Sequence, residues 1–175
     1  MASKIKVDQI QTADGTGTIA LQNQLSGMTT ASLPAGAILQ TVRYVSTNNQ
    51  VSSTSSSYVA SGESITITPS STSSKILLIA VWGAMVYDHN SADAEGEYKI
   101  VGTANGDLME HRYSSYDYGN SGSIQASTQN MTLLDYPNST SAQTYSIYMR
   151  LATGTNIRMS QSDKKTQMIA IEIKG

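Results

Sequence analysis

"KILLIAVWGAMVY", residues Lys75–Tyr87, is a nearly continuous apolar run in the middle of a 175-residue chain. A short apolar run without polar alternation is typical of a central β-strand that is covered on both faces. The run is too short for the roughly 20 residues that a membrane-spanning helix needs, so no membrane insertion is expected. The sequence around it therefore has to supply the neighbouring strands.

The segments on either side alternate apolar and polar residues and end at turn residues. Ile38–Val45 and Ser64–Thr68 precede the apolar run, and Tyr145–Leu151 and Met168–Ile173 follow it. Asn105-Gly106 is the dipeptide preferred in type I′ hairpin turns. About eight strands at a spacing of about 8–12 residues are typical of sandwiches and jelly rolls. We therefore expect an all-β protein with a jelly-roll-like β-sandwich.

Composition excludes several classes of function. The net charge of −2 and the pI of about 5.6 give no electrostatic footprint for nucleic acid. The chain has no cysteine, which excludes disulfides, thiolate metal sites and thiol nucleophiles. Ten tyrosines and no phenylalanine, with only 14% charged residues, favour half-buried pleated surfaces.

The first part of the chain differs from the rest. We predict an N-terminal arm and linker over residues 1–32 and a β-sandwich head over residues 33–175. Two short alternating strands flank Asp14-Gly15, and an isolated two-stranded hairpin is marginal in water. The arm is therefore expected to pair with copies of itself or with the strand edge of another protein. The residues predicted to carry these contacts are Ile5, Val7, Ile10, Asp14, Gly15, Ile19 and Leu21.

No motif for catalysis or metal binding stands out. "YDHNSADAEGE", residues 87–97, is rich in the oxygen ligands that Ca²⁺ prefers, but it lacks the spacing of a Ca²⁺ loop. A solvated loop is the favoured interpretation, and metal binding there stays open. Two histidines without thiolates make a weak zinc site, and no G-x-S-x-G sequence occurs. We expect no enzyme activity, no cofactor and no metal site.

"HRYSSYDYGN", residues 111–120, is the strongest candidate for recognition. Tyrosines in a predicted loop offer flat apolar faces and a hydroxyl group at a low entropic cost, which suits binding to glycans or protein surfaces. The alternative is that some of these rings cap the end of the sandwich. The candidate receptor-binding residues are Arg112, Tyr113, Tyr116, Asp117, Tyr118 and Asn120.

"SKIKVDQIQTADGTGTIALQNQLSGM", Ser3–Met28, resembles the N-termini of short fibre proteins of tailed bacteriophages, especially marine and cyanobacterial ones. The stretches Leu33–Gly36, Ser64–Leu77 and Leu134–Pro137 and the closing I-x-I-K resemble a fibre head of the same phages. The resemblance implies a homotrimeric virion appendage. Its arm would anchor to another virion protein, and its head would point outward to a host surface glycan. Asp88–Gln129 departs freely from this pattern and contains the tyrosine-rich segment.

Three functions remain open from the sequence. The first is a virion fibre for host attachment, and the second is a capsid decoration or cement protein with no receptor role. The third, a small glycan-degrading or deacylating enzyme, would need a site that the sequence does not display. The linker of roughly ten residues reaches only about 35 Å when fully extended. A short appendage fits tail, baseplate or capsid equally well.

Overall fold

The computed structural model describes residues 32–88, 93–115, 124–160 and 164–175. The chain divides into two compact units, Met1–Leu33 and Pro34–Gly175. All the predicted arm residues lie outside the described residues, and so do four candidate receptor-binding residues, Tyr116, Asp117, Tyr118 and Asn120. The fold that follows is that of the second unit.

The described residues of this unit form ten β-strands. Within the described ranges, no helix is long and apolar enough to cross a membrane. The strands are β1 Ile38–Val45, β2 Val51–Ser53, β3 Val59–Ile67, β4 Lys75–Tyr87, β5 Ala94–Gly102, β6 Gly106–Ser115, β7 Ile124–Asp135, β8 Gln143–Thr153, β9 Asn156–Met159 and β10 Gln167–Ile173.

The strands make two antiparallel sheets. The six-stranded sheet contains β1, β2, β4, β7, β9 and β10, and the four-stranded sheet has the order β3-β8-β5-β6. β9 and β10 follow one another along the same edge of β4. Between them the Ser160 N–H donates to the Gly83 carbonyl (3.0 Å), and the Gly83 N–H donates to the Lys164 carbonyl (3.2 Å). β9 and β10 are thus two halves of one interrupted strand. β1 pairs with β10 and β2 pairs with β9, so β1 and β2 are likewise two halves of one strand.

The pairing is nested from the chain ends inward. β1 pairs with β10, β3 with β8, β4 with β7, and β5 with β6, all antiparallel. When the interrupted strands are joined, eight strands pair first with last, second with seventh, and so on. This is the pattern of a double-sheet jelly roll. The predicted all-β sandwich is confirmed.

Side-chain alternation fixes the core between the sheets. Ile76, Leu78, Ala80 and Trp82 of β4 are buried, and the Trp82 ring lies 5.3 Å from the ring of Tyr98 in the opposite sheet. The prediction that β4 is covered on both faces is wrong for the described residues. Its odd-numbered side chains are only half-buried because they lie on the outer face of the six-stranded sheet.

The Asn105-Gly106 dipeptide lies in a β-hairpin, as predicted, but the turn type differs. A type I′ turn needs positive φ at both residues. Only Gly106 has it (φ 67°), and β5 and β6 are joined through residues 103–105 with a register shift after Ile100. The Asn105 amide instead donates to Asp135 Oδ1 (2.6 Å), which ties the turn to the end of β7.

Candidate functional site

The outer face of the four-stranded sheet is rich in charged and aromatic side chains. Because Tyr98 and Ile100 of β5 point into the core, Glu97 and Lys99 between them lie on the outer face. β8 presents Tyr148 and Arg150 on the same side, and β6 presents Glu110 and Arg112. Tyr58, just before β3, packs over this surface. We call these residues the outer-face cluster: Tyr58, Glu95, Glu97, Lys99, Glu110, Arg112, Tyr148 and Arg150.

Glu97 is the centre of the outer-face cluster, and its side chain is only 1% exposed. Its Oε1 accepts a hydrogen bond from Arg112 Nη2 at 2.9 Å. Its Oε2 accepts from Arg150 Nε (2.7 Å) and from the Tyr58 hydroxyl (2.9 Å), and Arg150 Nη2 lies 2.6 Å away. Three side chains thus supply four donors to this carboxylate, three of them to Oε2. The carboxylate thereby links β6, β8 and the segment before β3.

The electrostatics of Glu97 and Tyr58 follow from this arrangement. Burial alone would raise the pKa of Glu97, but the hydrogen bonds from Arg150 and Tyr58 outweigh it and hold that pKa below its ordinary value. Burial, followed by hydrogen bonding to Glu110 and Glu97, raises the pKa of the Tyr58 hydroxyl. At neutral pH the carboxylate is therefore charged and the phenol stays protonated as its donor.

The Tyr58 ring contacts two cations. Lys99 Nζ lies 4.3 Å from the ring centroid, and the Arg150 guanidinium carbon lies 5.0 Å from it. Lys99 also makes an ion pair of 2.8 Å with Asp107 and lies 6.0 Å from the Tyr148 ring. Cation–π contacts and ion pairs together restrict the rotamers of these long side chains. The outer-face cluster is thus an ordered surface.

An open groove of about 430 Å³ lies beside the outer-face cluster. Its polar side chains are mostly hydroxyls, and Tyr148 lines both the groove and the cluster. A groove with hydroxyls and an aromatic ring suits a ligand that is itself rich in hydroxyls. The residues that line it are Val101, Gly102, Thr103, Gly106, Thr144, Ser146 and Tyr148.

Two of the predicted receptor-binding residues lie within the described residues. Both belong to β6 rather than to the predicted loop, which corrects that expectation. Arg112 is 62% exposed and bridges Glu95 and Glu97. Tyr113 is only 6% exposed and belongs to the core, because it alternates with Arg112 along the strand. Its ring is therefore unable to meet a receptor, although Arg112 still can.

The acidic segment before and within β5 is not one solvated loop. β5 begins at Ala94, so Glu95 and Glu97 are strand residues, and both carboxylates accept hydrogen bonds from Arg112. Among the described residues, no three acidic or histidine side chains lie close enough together to hold a metal ion. His89, in the same segment, lies outside the described residues.

Two further carboxylates are buried with neutral donors. Glu63 accepts hydrogen bonds from Tyr44 (2.9 Å), Ser46 (2.8 Å) and Asn48 (2.8 Å). Glu172 accepts from Gln40 (2.6 Å) and Ser74 (2.6 Å), and from both the backbone N–H and the hydroxyl of Ser70. Burial would raise the pKa of Glu172, but these hydrogen bonds lower it below its ordinary value. Both carboxylates join loops to strands and have structural roles.

Five residues of the outer-face cluster were not predicted from the sequence: Tyr58, Lys99, Glu110, Tyr148 and Arg150. A signal for two of them was present. Tyr145–Leu151 alternates, and its apolar members Tyr145, Ile147 and Met149 are the buried ones, which assigns Tyr148 and Arg150 to the opposite face. Nothing local marks Tyr58, because its partners are 39 or more residues away along the chain.

The fold and surface define an all-β, jelly-roll sandwich with one highly polar outer face. No family model and no curated protein matches the chain. Among solved structures it is similar to infectious bursal disease virus Gt strain, with 10% identity, 91% of this chain and 42% of that chain covered, and a TM-score of 0.31. It is also similar to the infectious bursal virus-derived T=1 particles, with 10% identity, coverage of 91% and 41%, and a TM-score of 0.32.

The chain spans about two fifths of the length of these viral chains. The similarity is distant, and the similar structures are proteins of virus particles. TM-scores of 0.31 and 0.32 are too low to support an argument about this chain. The comparisons therefore add no close relative to the resemblance carried by Ser3–Met28 and the head segments.

Proposed function

We propose that the protein is a virion structural protein, specifically a short homotrimeric fibre of a tailed bacteriophage. Its N-terminal arm anchors it to a tail, baseplate or capsid protein, and its jelly-roll head attaches to a host surface glycan. The resemblance of Ser3–Met28 to phage fibre N-termini supports the viral assignment. The jelly-roll pairing of the head supports a structural or binding role, because viral capsid and lectin domains use this architecture.

The outer-face cluster is the observation that carries the attachment role. Glu97 fixes Arg150, Arg112 and Tyr58 in one arrangement before any ligand arrives. A preorganised surface binds with a smaller entropic cost than one that must order its side chains. The adjacent groove offers hydroxyl groups and the Tyr148 ring, which match the hydroxyls and apolar faces of a sugar.

The virion location is tested by immunogold labelling of intact particles with an antibody against the head. We expect gold at the tail for a fibre that attaches to the host. Gold distributed over the capsid would favour a capsid fibre or a decoration protein. If no particle is labelled, the virion assignment is wrong.

The attachment role is tested by adsorption of purified protein to host cells and to their isolated polysaccharide. Tyr148→Ala removes the ring shared by the groove and the outer-face cluster and is expected to weaken binding. Tyr116→Ala and Tyr118→Ala test the predicted tyrosine-rich loop. Tyr136→Ala is the matched control, since this tyrosine is 51% exposed and lies next to Lys75 of the other sheet. Unchanged binding in the three variants would refute attachment through these surfaces.

A capsid decoration protein without a receptor is the second candidate. The half-buried aliphatic residues on the outer face of the six-stranded sheet favour it, since a cementing protein buries part of its head. An enzyme is not proposed: the hydrogen bonds from Arg150 and Tyr58 hold the pKa of Glu97 below its ordinary value, which makes this buried carboxylate a weak base. A turnover assay on host polysaccharide would reveal such an activity if it existed.

A further inference from the structure

The interruption between β9 and β10 is held in place by buried hydrogen bonds. The hydroxyls of Ser160 and Thr166 share a hydrogen bond, and both residues are 0% exposed. The φ of Ser160 is 54°, in the left-handed region that residues other than glycine seldom adopt. Such backbone persists only where the surrounding structure holds it, and it is concentrated at functional sites. This part of the sheet is therefore a candidate position for a binding site.

The interruption places Lys164 in contact with the outer face of β4. A Cβ at Gly83 would overlap with the Lys164 Cβ and would lie 3.0 Å from the Lys164 carbonyl oxygen, which accepts from the Gly83 N–H. Only glycine permits so close an approach of another backbone. Lys164 and Lys165, which are adjacent in the chain, both line one groove on this face. The fold thus brings two lysines to one place.

The groove has a volume of about 340 Å³, and it combines apolar surface with hydrogen-bond donors. Gln167 lies opposite Val45 of β1 on one side and opposite Val81 of β4 on the other, and the two valines supply the apolar surface. Its size is at the lower end of the range of about 300–1,000 Å³ for small-molecule sites. We call the following lining residues the lysine groove: Val45, Val81, Thr128, Lys164, Lys165 and Gln167.

Cations predominate around the lysine groove among the described residues. Arg43 Nη2 donates to Gln167 Oε1 (3.3 Å), so a third cation lies beside the groove and the Gln167 nitrogen is left as a donor. The outward positions of this sheet, within the described ranges, include no aspartate or glutamate. Asp163, next to Lys164 in the chain, lies outside those ranges. Because lysine offers donors and no acceptor, the groove is complementary to an anion.

We propose that the lysine groove binds a negatively charged sugar residue through its carboxylate or sulfate group. Lys164 and Lys165 pair with the anion. The Thr128 hydroxyl and the Gln167 amide bond to ring hydroxyls, and the two valines contact the apolar face of the ring. An acidic sugar carries all three features on one ring, whereas an acidic peptide carries them on separate residues, which need more space than this groove provides.

The lysine groove lies on the opposite sheet from the outer-face cluster, so this site goes beyond the attachment surface in the proposed function. The choice of a saccharide as the ligand rests on that proposed function. The preference for an anion rests on the lysine groove alone. If both hold, the host glycan is an acidic polysaccharide.

The test is isothermal titration calorimetry of the full chain in about 0.15 M salt. The probes are tetragalacturonate, which carries carboxylates, and a κ-carrageenan tetrasaccharide, which carries sulfates. We expect at least one of them to bind, and we expect Lys165→Glu to raise its dissociation constant about 10-fold or more, because attraction becomes repulsion.

Lys75→Glu is the matched control, because it reverses the same charge on the same face. Lys75 lies about 26 Å from Gly83 along β4, well beyond the screening length of about 8 Å, so this variant should change the dissociation constant less than about 2-fold. Near-ultraviolet circular dichroism of Trp82 shows whether each variant is folded. If Lys165→Glu does not fold, Lys164→Glu replaces it, since Lys164 is exposed.

Absence of binding to both tetrasaccharides would overturn the inference. Binding that Lys165→Glu leaves unchanged, or that Lys75→Glu weakens to the same extent, would also overturn it. Equal binding of maltotetraose, which is neutral, or of tetraglutamate, which is an acidic peptide, would contradict an acidic sugar as the ligand.

Failure of the proposed function has a different result. If Tyr148→Ala, Tyr116→Ala and Tyr118→Ala leave adsorption to host cells unchanged while Lys165→Glu weakens binding of an acidic tetrasaccharide, attachment through the other surfaces is wrong and the lysine groove stands. If those tyrosine variants lose adsorption but neither acidic tetrasaccharide binds, the lysine groove alone is wrong.

Discussion

Glu97→Gln tests whether one carboxylate organises the outer-face cluster. The substitution keeps the size of the side chain and removes its charge. Its amide has one oxygen left to accept hydrogen bonds, and its nitrogen brings hydrogens toward donors of Arg112, Arg150 or Tyr58. Depending on the orientation of the amide, either the Arg112 donor on Oε1 or the three donors on Oε2 therefore lose their acceptor.

The expected loss in the free energy of unfolding depends on the burial of Glu97 and on the solvent exposure of its partners Arg112 and Arg150. Hydrogen bonds to charged groups contribute about 1.5–3 kcal/mol each. Arg112 is 62% exposed and Arg150 is 34% exposed, so water replaces part of what their guanidinium groups lose. We expect the free energy of unfolding to fall by about 2–3 kcal/mol for Glu97→Gln.

Urea unfolding measures this loss, with fluorescence of the single tryptophan, Trp82, as the signal. Trp82 is 1% exposed, so its emission reports exposure of the core. With a slope of about 2 kcal/mol per molar urea, the midpoint should fall by about 1–1.5 M. Protein concentration is held constant, because self-association would shift the apparent stability.

Glu95→Gln is the matched control. Glu95 lies two residues away on the same face of β5 and is 25% exposed. It accepts hydrogen bonds of 3.1 Å from Arg112 Nη1 and from the Ser114 hydroxyl. An exposed ion pair of this kind contributes less than about 1 kcal/mol. If the two variants lose the same stability, Glu97 does not have the organising role that its four donors indicate.

Three further predictions concern stability. The pKa values of Glu97 and Glu172 are lowered in the folded protein, so their stabilisation is complete above the ordinary pKa of 4.5 and is lost as pH falls through the folded values. Urea midpoints should therefore fall more steeply below about pH 5 in the wild type than in Glu97→Gln. Parallel plots of midpoint against pH for the two proteins would contradict this prediction. Gly96→Ala should lower the free energy of unfolding by about 1–3 kcal/mol because its Cβ would overlap with Ile157 Cδ1, and Ile157→Val should restore part of the loss in a double-mutant cycle. Gly106→Ala should cost about 1 kcal/mol because its φ of 67° strains an L-residue; an unchanged thermal midpoint would contradict it.

The sequence was sufficient for the class of fold because its strands alternate and its turns are marked. The alternation of Ser64–Thr68 and Tyr145–Leu151 survives as β3 and β8, and Pro69 and Gly154 follow them as predicted. The interrupted strands were not predictable, because the contacts of Gly83 with Ser160 and Lys164 join residues far apart in sequence. The turn type at Asn105 was also decided by a distant partner, Asp135.

The candidate site was less predictable than the fold. Local composition indicated "HRYSSYDYGN" as a candidate segment, but composition does not determine which face of a strand a side chain lies on. One step along β6 separates Arg112, which lies on the surface, from Tyr113, which lies in the core. The outer-face cluster combines Tyr58, Glu97 and Arg150 from three parts of the chain, so it forms only when β8 pairs with both β5 and β3.

β4 is apolar on both faces, which the packing of the isolated head does not require. A strand in a two-sheet sandwich needs only one apolar face, and β5 and β8 follow that rule, with Lys99, Tyr148 and Arg150 outside. Leu77, Ile79 and Val81 break it on β4, and Ile169 and Ile171 break it on β10. If these outward side chains are open to solvent in the working protein, Leu77→Thr and Ile169→Thr should raise solubility and leave the mass in solution unchanged. If they instead lie in the contact between copies of the proposed homotrimer, the same variants should lower the mass in solution and weaken avidity for a polysaccharide surface, while the affinity of each head for a short glycan stays unchanged.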